Sequence, residues 1–264
     1  MIDESPDVRP VAVITGAATG VGAASAYWFA TKGFDVIVNF NSSREAAALV
    51  VDRCQQAGAS AYAVQGDVAK DEDCLRIAAT ANDRFGRIDA LINSAGTTRM
   101  LPMSDLQAVQ SDEFSRVFAT NAIGAFQMSR AVATSMRRTR GSIVNVSSIA
   151  TKTGIGSSYA YVASKGALNA LTIALARNLA PNIRVNAVLP GLVEGRWLEE
   201  RLSPKAYERA LSQYAASSAL QRVSTPQDIA EVIGWLVVAA PVMTGQLVCV
   251  DAGLMLGGPP MLSE

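Results

Sequence analysis

The chain has 264 residues, half of them hydrophobic and only 17% charged, which suits one large α/β domain with ample core. Lys+Arg and Asp+Glu number 23 each and no basic block occurs, which argues against nucleic acid or an anionic membrane as partner. Histidine is absent, so a Ser-His-Asp triad, His-liganded zinc and histidine acid–base chemistry are excluded, and no metal is expected.

Residues 1–10 are acidic and polar and read as a loosely attached arm rather than a secretory leader. Val11–Thr15 is a short apolar run opening into Gly16-Ala-Ala-Thr-Gly20-Val-Gly22, followed by a helix through Lys32 that Gly33 closes. The alternation repeats: strand Val36–Phe40, helix Ser43–Ala57, strand Ala61–Val64, helix Glu72–Phe85, strand Ala90–Ile92, then a long helical stretch from about Asp112 to Met136. Ile143, Val144 and Val146 mark a central strand ending in Ser147 and Ser148; a glycine-punctuated loop follows, and a helix begins near Tyr159. A strand at Ile183–Val188, a less regular segment to about Thr225, a helix Gln227–Val238, a strand Leu247–Val250 and a tail from 257 complete the chain. The apolar run around Ile233–Ala240 is too short to span a bilayer.

The strands are β-branched without in/out alternation. That pattern predicts a doubly wound, Rossmann-type α/β fold, with about seven mostly or wholly parallel strands and helices on both faces. No linker or repeat divides it, so 11–256 is read as one domain. Cys54, Cys74 and Cys249 have no metal or redox spacing and fit reduced thiols in a cytoplasmic protein.

Two stretches carry chemistry. Gly16-x-x-x-Gly20-x-Gly22 lies between the first strand and first helix, where glycines let the backbone approach a pyrophosphate at a helix N-terminus. Tyr161 and Lys165, four apart on a helix, project from one face near the serines of the preceding strand. A free tyrosine titrates near pH ~10; a neighbouring ammonium is expected to stabilise the phenolate and lower that value.

With these motifs in order, the chain resembles the short-chain dehydrogenase/reductase family from Val11 to Leu256. The resemblance is carried by the glycine turn, Asp67-Val68, Asn93-Ser94-Ala95-Gly96, Asn121, Ser148, Tyr161-x-x-x-Lys165, Pro190-Gly191 and the closing Gly245-Gln246 and Val250-Asp251-Ala252-Gly253. It implies Tyr161 as general acid or base, Ser148 orienting the substrate oxygen, Lys165 tuning the tyrosine and binding nicotinamide ribose, and Asn121 holding a relay water. Ser147 is a rival for Ser148, which the family spacing selects; Tyr159 has Ala163, not lysine, four residues on. The implied cofactor contacts are Gly16, Thr19, Gly20, Val21, Gly22, Phe40, Asn41, Ser42, Ser43, Arg44, Asp67, Val68, Asn93, Ala95, Gly96, Tyr161, Lys165, Pro190, Gly191 and Val193. Asp67, Val68 and the Asn93–Gly96 run are assigned to adenine contact and close backbone passage. Ser94 and Gly195 depart from the family, which more often has asparagine and threonine there.

The second strand ends Asn39-Phe40-Asn41-Ser42-Ser43-Arg44, with no acid to repel a 2′-phosphate. NADP(H) is therefore favoured over NAD(H), with Arg44 either pairing the phosphate or lying on the helix surface. Residues 192–218 stand where the family has a substrate lid; Trp197, Leu198, Leu202, Tyr207 and Tyr214 would line a pocket or form a helix packed on the body or on another subunit. The expected activity is reduction of a small-molecule carbonyl, in the manner of 3-oxoacyl reductases, or oxidation of the alcohol. An NAD-dependent alcohol dehydrogenase, an epimerase or dehydratase, and a non-catalytic dinucleotide sensor are the alternatives. A homotetramer or homodimer is the family-based expectation.

Overall fold

The computed structural model describes residues 8–195, 199–200 and 202–258. Seven strands form one sheet: β1 Val11–Thr15, β2 Asp35–Phe40, β3 Ala61–Gln65, β4 Ala90–Asn93, β5 Ser142–Val146, β6 Arg184–Pro190 and β7 Leu247–Val250. Their order is β3-β2-β1-β4-β5-β6-β7 and every pairing is parallel.

The missing in/out alternation has a direct cause. On β1, Ala12 and Ile14 face the layer of α1 (Gly20–Thr31), α2 (Arg44–Gln56) and a C-terminal helix, Pro226–Val238. Val13 faces the opposite layer, made by α3 (Asp71–Phe85) and α5 (Ala125–Thr139). Both faces are covered, so Val11, Ala12, Val13 and Ile14 are consecutive, all buried and all apolar. Each such Val or Ile side chain contributes roughly 1.5–3 kcal/mol by leaving water. Edge strand β3 departs from this, with Ala61 and Val64 buried and Tyr62 exposed.

The strand order reverses between β1 and β4. Ligands of open parallel sheets lie in the crevice outside the carboxyl ends of such neighbours.

Three local expectations are refined. The long helix is α4 (Ser111–Phe118) running through π-helical turns at Ala119–Gly124 into α5. A one-turn helix, α6 (Ala150–Thr153), interrupts the loop before α7 (Tyr159–Leu179). The segment expected to be irregular holds a fourteen-residue helix, α8 (Pro204–Ser217), ahead of α9 (Pro226–Val238). This is the helical one of the two readings given for 192–218, and none of its residues is fully buried. Trp197 and Leu198 of the expected lid lie outside the described residues.

Candidate active site

The glycine turn is shaped by close approach. Gly16 has φ +60°, and a Cβ there would stand 2.8 Å from Ala95 Cα; a Cβ at Gly22 would stand 2.4 Å from the Gly16 carbonyl oxygen. The turn is also tied down by side chains. Thr15 Oγ1 accepts the N–H groups of Ser94 and Ala95, each at 3.1 Å. Asn39 Oδ1 accepts the Gly16 N–H at 3.3 Å, and its amide donates to the Val64 and Gly66 carbonyls. The turn and the N-terminus of α1 open onto a cavity of about 560 Å³ at the carboxyl ends of the central strands.

Of the sequence-assigned cofactor residues, Gly16, Thr19, Gly20, Val21, Phe40, Asn41, Ser42, Ser43, Ala95, Gly96, Tyr161, Lys165, Pro190, Gly191 and Val193 line this cavity. Gly22 lies behind the turn, as its contact with Gly16 requires. At the β2 end no carboxylate lines the cavity among the described residues. Arg44 is exposed beside it, 5.8 Å from the Phe40 ring centroid and donating to Gln65 Oε1 at 2.9 Å.

Asp67, Val68 and Asn93 are not among the cavity-lining residues. Asp67 Oδ1 accepts the Ala69 N–H at 3.0 Å, closing a local turn before α3. Val68 packs against the π-helical segment: a Cβ on Gly124 would stand 2.7 Å from Val68 Cγ2. The Asn93 amide donates to Ala125 O, Ser129 Oγ and Asn145 Oδ1 at 3.2, 3.2 and 2.9 Å. Asn145 in turn donates to Thr172 Oγ1 at 2.8 Å. This buried polar chain joins β4 to β5 and both to their covering helices.

Ser158 caps α7 by accepting the Tyr161 N–H at 3.1 Å, which sets Tyr161 in the first turn and Lys165 one turn later. Tyr161 hydrogen-bonds Ser148, whose Oγ also accepts the Ala150 N–H at 3.1 Å. Ser147 is buried instead, its hydroxyl donating to the Lys165 carbonyl at 3.3 Å. Tyr159 serves elsewhere, donating to the Met103 carbonyl at 2.8 Å.

Lys165 is buried; its Nζ donates to the Val146 carbonyl at 2.7 Å and sits 5.8 Å from the Tyr161 ring centroid. Burial pushes the ammonium down to about 8. Burial also raises the Tyr161 phenol above its ordinary value, and the Ser148 hydrogen bond works against that rise. Desolvation is the largest influence on the phenol, and Lys165 gives its close bond to Val146 O rather than to the phenol oxygen.

Asn121, in the π-helical turns, accepts the Thr97 N–H at 2.7 Å and donates to Thr97 O and Ser164 Oγ, both at 3.0 Å. A Cβ at Gly96 would stand 3.6 Å from Asn121 Oδ1 and 3.7 Å from Lys165 Nζ, so Gly96 keeps the gap between them open. Met100, Ile149, Ile155, Leu192 and Leu254 give the cavity apolar walls that sequence reading did not assign. These residues come from four separate segments of the chain, and no local spacing marks them.

The donors and shape fit a dinucleotide: a turn that two glycines alone can close, a helix N-terminus facing the cavity, and hydroxyl, phenol and ammonium groups at its inner end. The short chain dehydrogenase family model matches residues 10–205. A curated relative from Streptomyces violaceoruber, named as a ketoacyl reductase of the granaticin polyketide synthase, is 35% identical over 97% of this chain and all of its own length. A short-chain dehydrogenase/reductase structure from Burkholderia xenovorans matches with TM-score 0.88 and 44% identity, over 94% of this chain and 99% of that one. The structure of 7α-hydroxysteroid dehydrogenase complexed with NADH and 7-oxo glycochenodeoxycholic acid matches with TM-score 0.83 and 30% identity, over 96% of this chain and 95% of that one. The chain belongs to the short-chain dehydrogenase/reductase family. It is an NAD(P)-dependent oxidoreductase acting on CH–OH and C=O groups. Among the described residues, no helix is long and apolar enough to cross a membrane.

Proposed function

We propose that the protein is an NADP(H)-dependent carbonyl reductase for a ketone or 3-oxoacyl thioester, with Tyr161 as the proton donor. The observation that carries this reading is the Ser148–Tyr161–Lys165 cluster at the inner end of the cavity lined by the glycine turn. When bound, the nicotinamide supplies the hydride. The chain supplies the proton and the orientation. Tyr161, a phenol and so protonated at neutral pH, donates to the carbonyl oxygen, which Ser148 holds through its hydroxyl. Lys165, close to its own titration point at neutral to mildly basic pH, stabilises the phenolate left behind.

Reprotonation proceeds through the gap at Gly96 between Lys165 Nζ and Asn121. The Asn121 carboxamide beside that gap is bonded to Thr97 and Ser164. NADP(H) preference rests on the acid-free β2 end and the exposed Arg44 guanidinium beside it. The bound NADH of the hydroxysteroid dehydrogenase relative supports the cofactor class without deciding the 2′ position. The ketoacyl reductase relative and the apolar cavity walls support a ketone carried on an apolar chain.

The test is steady-state oxidation of NADPH and NADH against neutral ketones and 3-oxoacyl thioesters, with product analysis. Stoichiometric alcohol formation with NADPH preferred is expected. Product formed with no net loss of reduced cofactor would instead support an epimerase or dehydratase.

A further inference from the structure

Helix α8 lies against the body with no buried residue among its fourteen positions. Its inward stripe is Tyr207, Ala210, Leu211, Tyr214 and Ala215, all only partly buried, at the spacing of one helix face. Apolar burial does little to hold such a helix. Two phenol oxygens tie it to the segments that follow β6 and β7. Tyr207 Oη accepts the Gly195 N–H at 2.9 Å. Tyr214 Oη donates to the Asp251 carbonyl at 2.7 Å and accepts a hydrogen bond from the Leu192 main chain.

The backbone is shaped around those oxygens. A Cβ at Gly191 would stand 1.8 Å from Tyr214 Oη, so only glycine admits the phenol there. Gly195 holds φ +117°, a conformation that residues with side chains rarely adopt. Between them, Glu194 donates its N–H to Ser224 O at 3.0 Å. Every residue from Gly191 to Gly195 lines the cavity.

We propose that Tyr207 and Tyr214 are positioning residues for the dinucleotide, fixing the 191–195 main chain as a preformed wall of its cleft. They act through the backbone they hold, Tyr214 also lining the cavity itself, and they take no part in proton transfer. A wall ordered before binding removes an entropy cost from association, so losing either hydroxyl weakens the dinucleotide rather than the chemistry. This rests on the dinucleotide occupying this cavity; it is independent of the ketone and of the 2′-phosphate.

The experiment uses the full chain and the variants Tyr207→Phe, Tyr214→Phe and the double, each keeping its ring. Hydrogen exchange over 191–195 is followed without dinucleotide, and NADPH and NADH are titrated by fluorescence. Exchange is expected to quicken roughly threefold to tenfold at Gly195 in the first variant and at Leu192 in the second. Dissociation constants for both dinucleotides are expected to rise by a similar factor, with their ratio unchanged. Leu211→Ala, which loosens only the apolar side of α8, is the control and is expected to leave both constants within about twofold. Unchanged binding in the phenylalanine variants, or an equal loss in Leu211→Ala, would overturn the proposal by showing that the phenols merely dock α8. A wild-type chain that binds neither dinucleotide would overturn the reading of the cavity, and the proposal with it.

Discussion

Lys165 and Tyr161 face each other without sharing a hydrogen bond: Nζ lies 5.8 Å from the ring centroid and gives its close bond to Val146 O at 2.7 Å. The ammonium therefore acts on the phenol as a nearby charge. That charge is itself labile, because burial brings Lys165 down to about 8. Ketone reduction needs a protonated Tyr161 and a charged Lys165. The predicted kcat/KM is level through neutral pH and falls above about pH 8. A pH–rate profile measures this, and a fall already complete at neutral pH would contradict it.

The same burial predicts a stability effect of opposite sense to activity. Lys165 is lowered from 10.5 to about 8 on folding, so between those values the unfolded chain binds more protons. This group's contribution to stability therefore rises with pH across that window, and its penalty is fully present below it. Lys165→Met is expected to abolish turnover yet raise Tm at pH 7 by roughly 3 °C. The difference shrinks toward pH 10.5, and thermal unfolding at the two pH values checks it.

The three glycines of the turn are predicted to differ in severity. Gly20 has φ +55° with nothing within 4 Å of an added Cβ, so alanine there costs about 1–2 kcal/mol of backbone strain. Gly16→Ala and Gly22→Ala drive a Cβ into backbone at 2.8 and 2.4 Å, and the turn must move. Dinucleotide titration and thermal melts are expected to show mild weakening at position 20 and near-complete loss of binding at 16 and 22.

The layered fold is readable in the sequence because β1 and its neighbours are buried on both faces, so their strands read as mainly apolar runs without in/out alternation. Tyr161 and Lys165 are readable because a helix fixes their relation locally. What escapes is decided at a distance. The side chains of Asn93 and Asp67, both in motif positions, bond within the protein, one in a buried chain through Asn145 and the other in a turn. Asn39, which ties the glycine turn to β3, reads in sequence only as a strand residue. Helix α8 is one of the two readings of 192–218, and the phenol hydrogen bonds that hold it are decided by distant partners.

Arg44 is predicted to set cofactor preference. Its exposed guanidinium stands over the Phe40 ring and donates to Gln65, with no carboxylate in either contact, and so is available to a 2′-phosphate. Arg44→Gln is expected to weaken NADPH by roughly tenfold while leaving NADH unchanged, as loss of a charge-assisted hydrogen bond requires. Asn41→Asp, which places an acid at the β2 end, is expected to move preference further toward NADH. Paired KM values for the two cofactors measure both effects.

The proposed chemistry depends above all on Tyr161 delivering the proton to a bound carbonyl, and Tyr161→Phe tests this once chemistry is separated from binding. The measurement is single-turnover oxidation of bound NADPH by a ketone, with the NADPH dissociation constant determined on the same sample. A loss of roughly 10²–10⁴-fold in the chemical step is expected, with NADPH affinity nearly unchanged. Turnover retained in the phenylalanine variant would contradict the role of Tyr161 and assign the proton to another group.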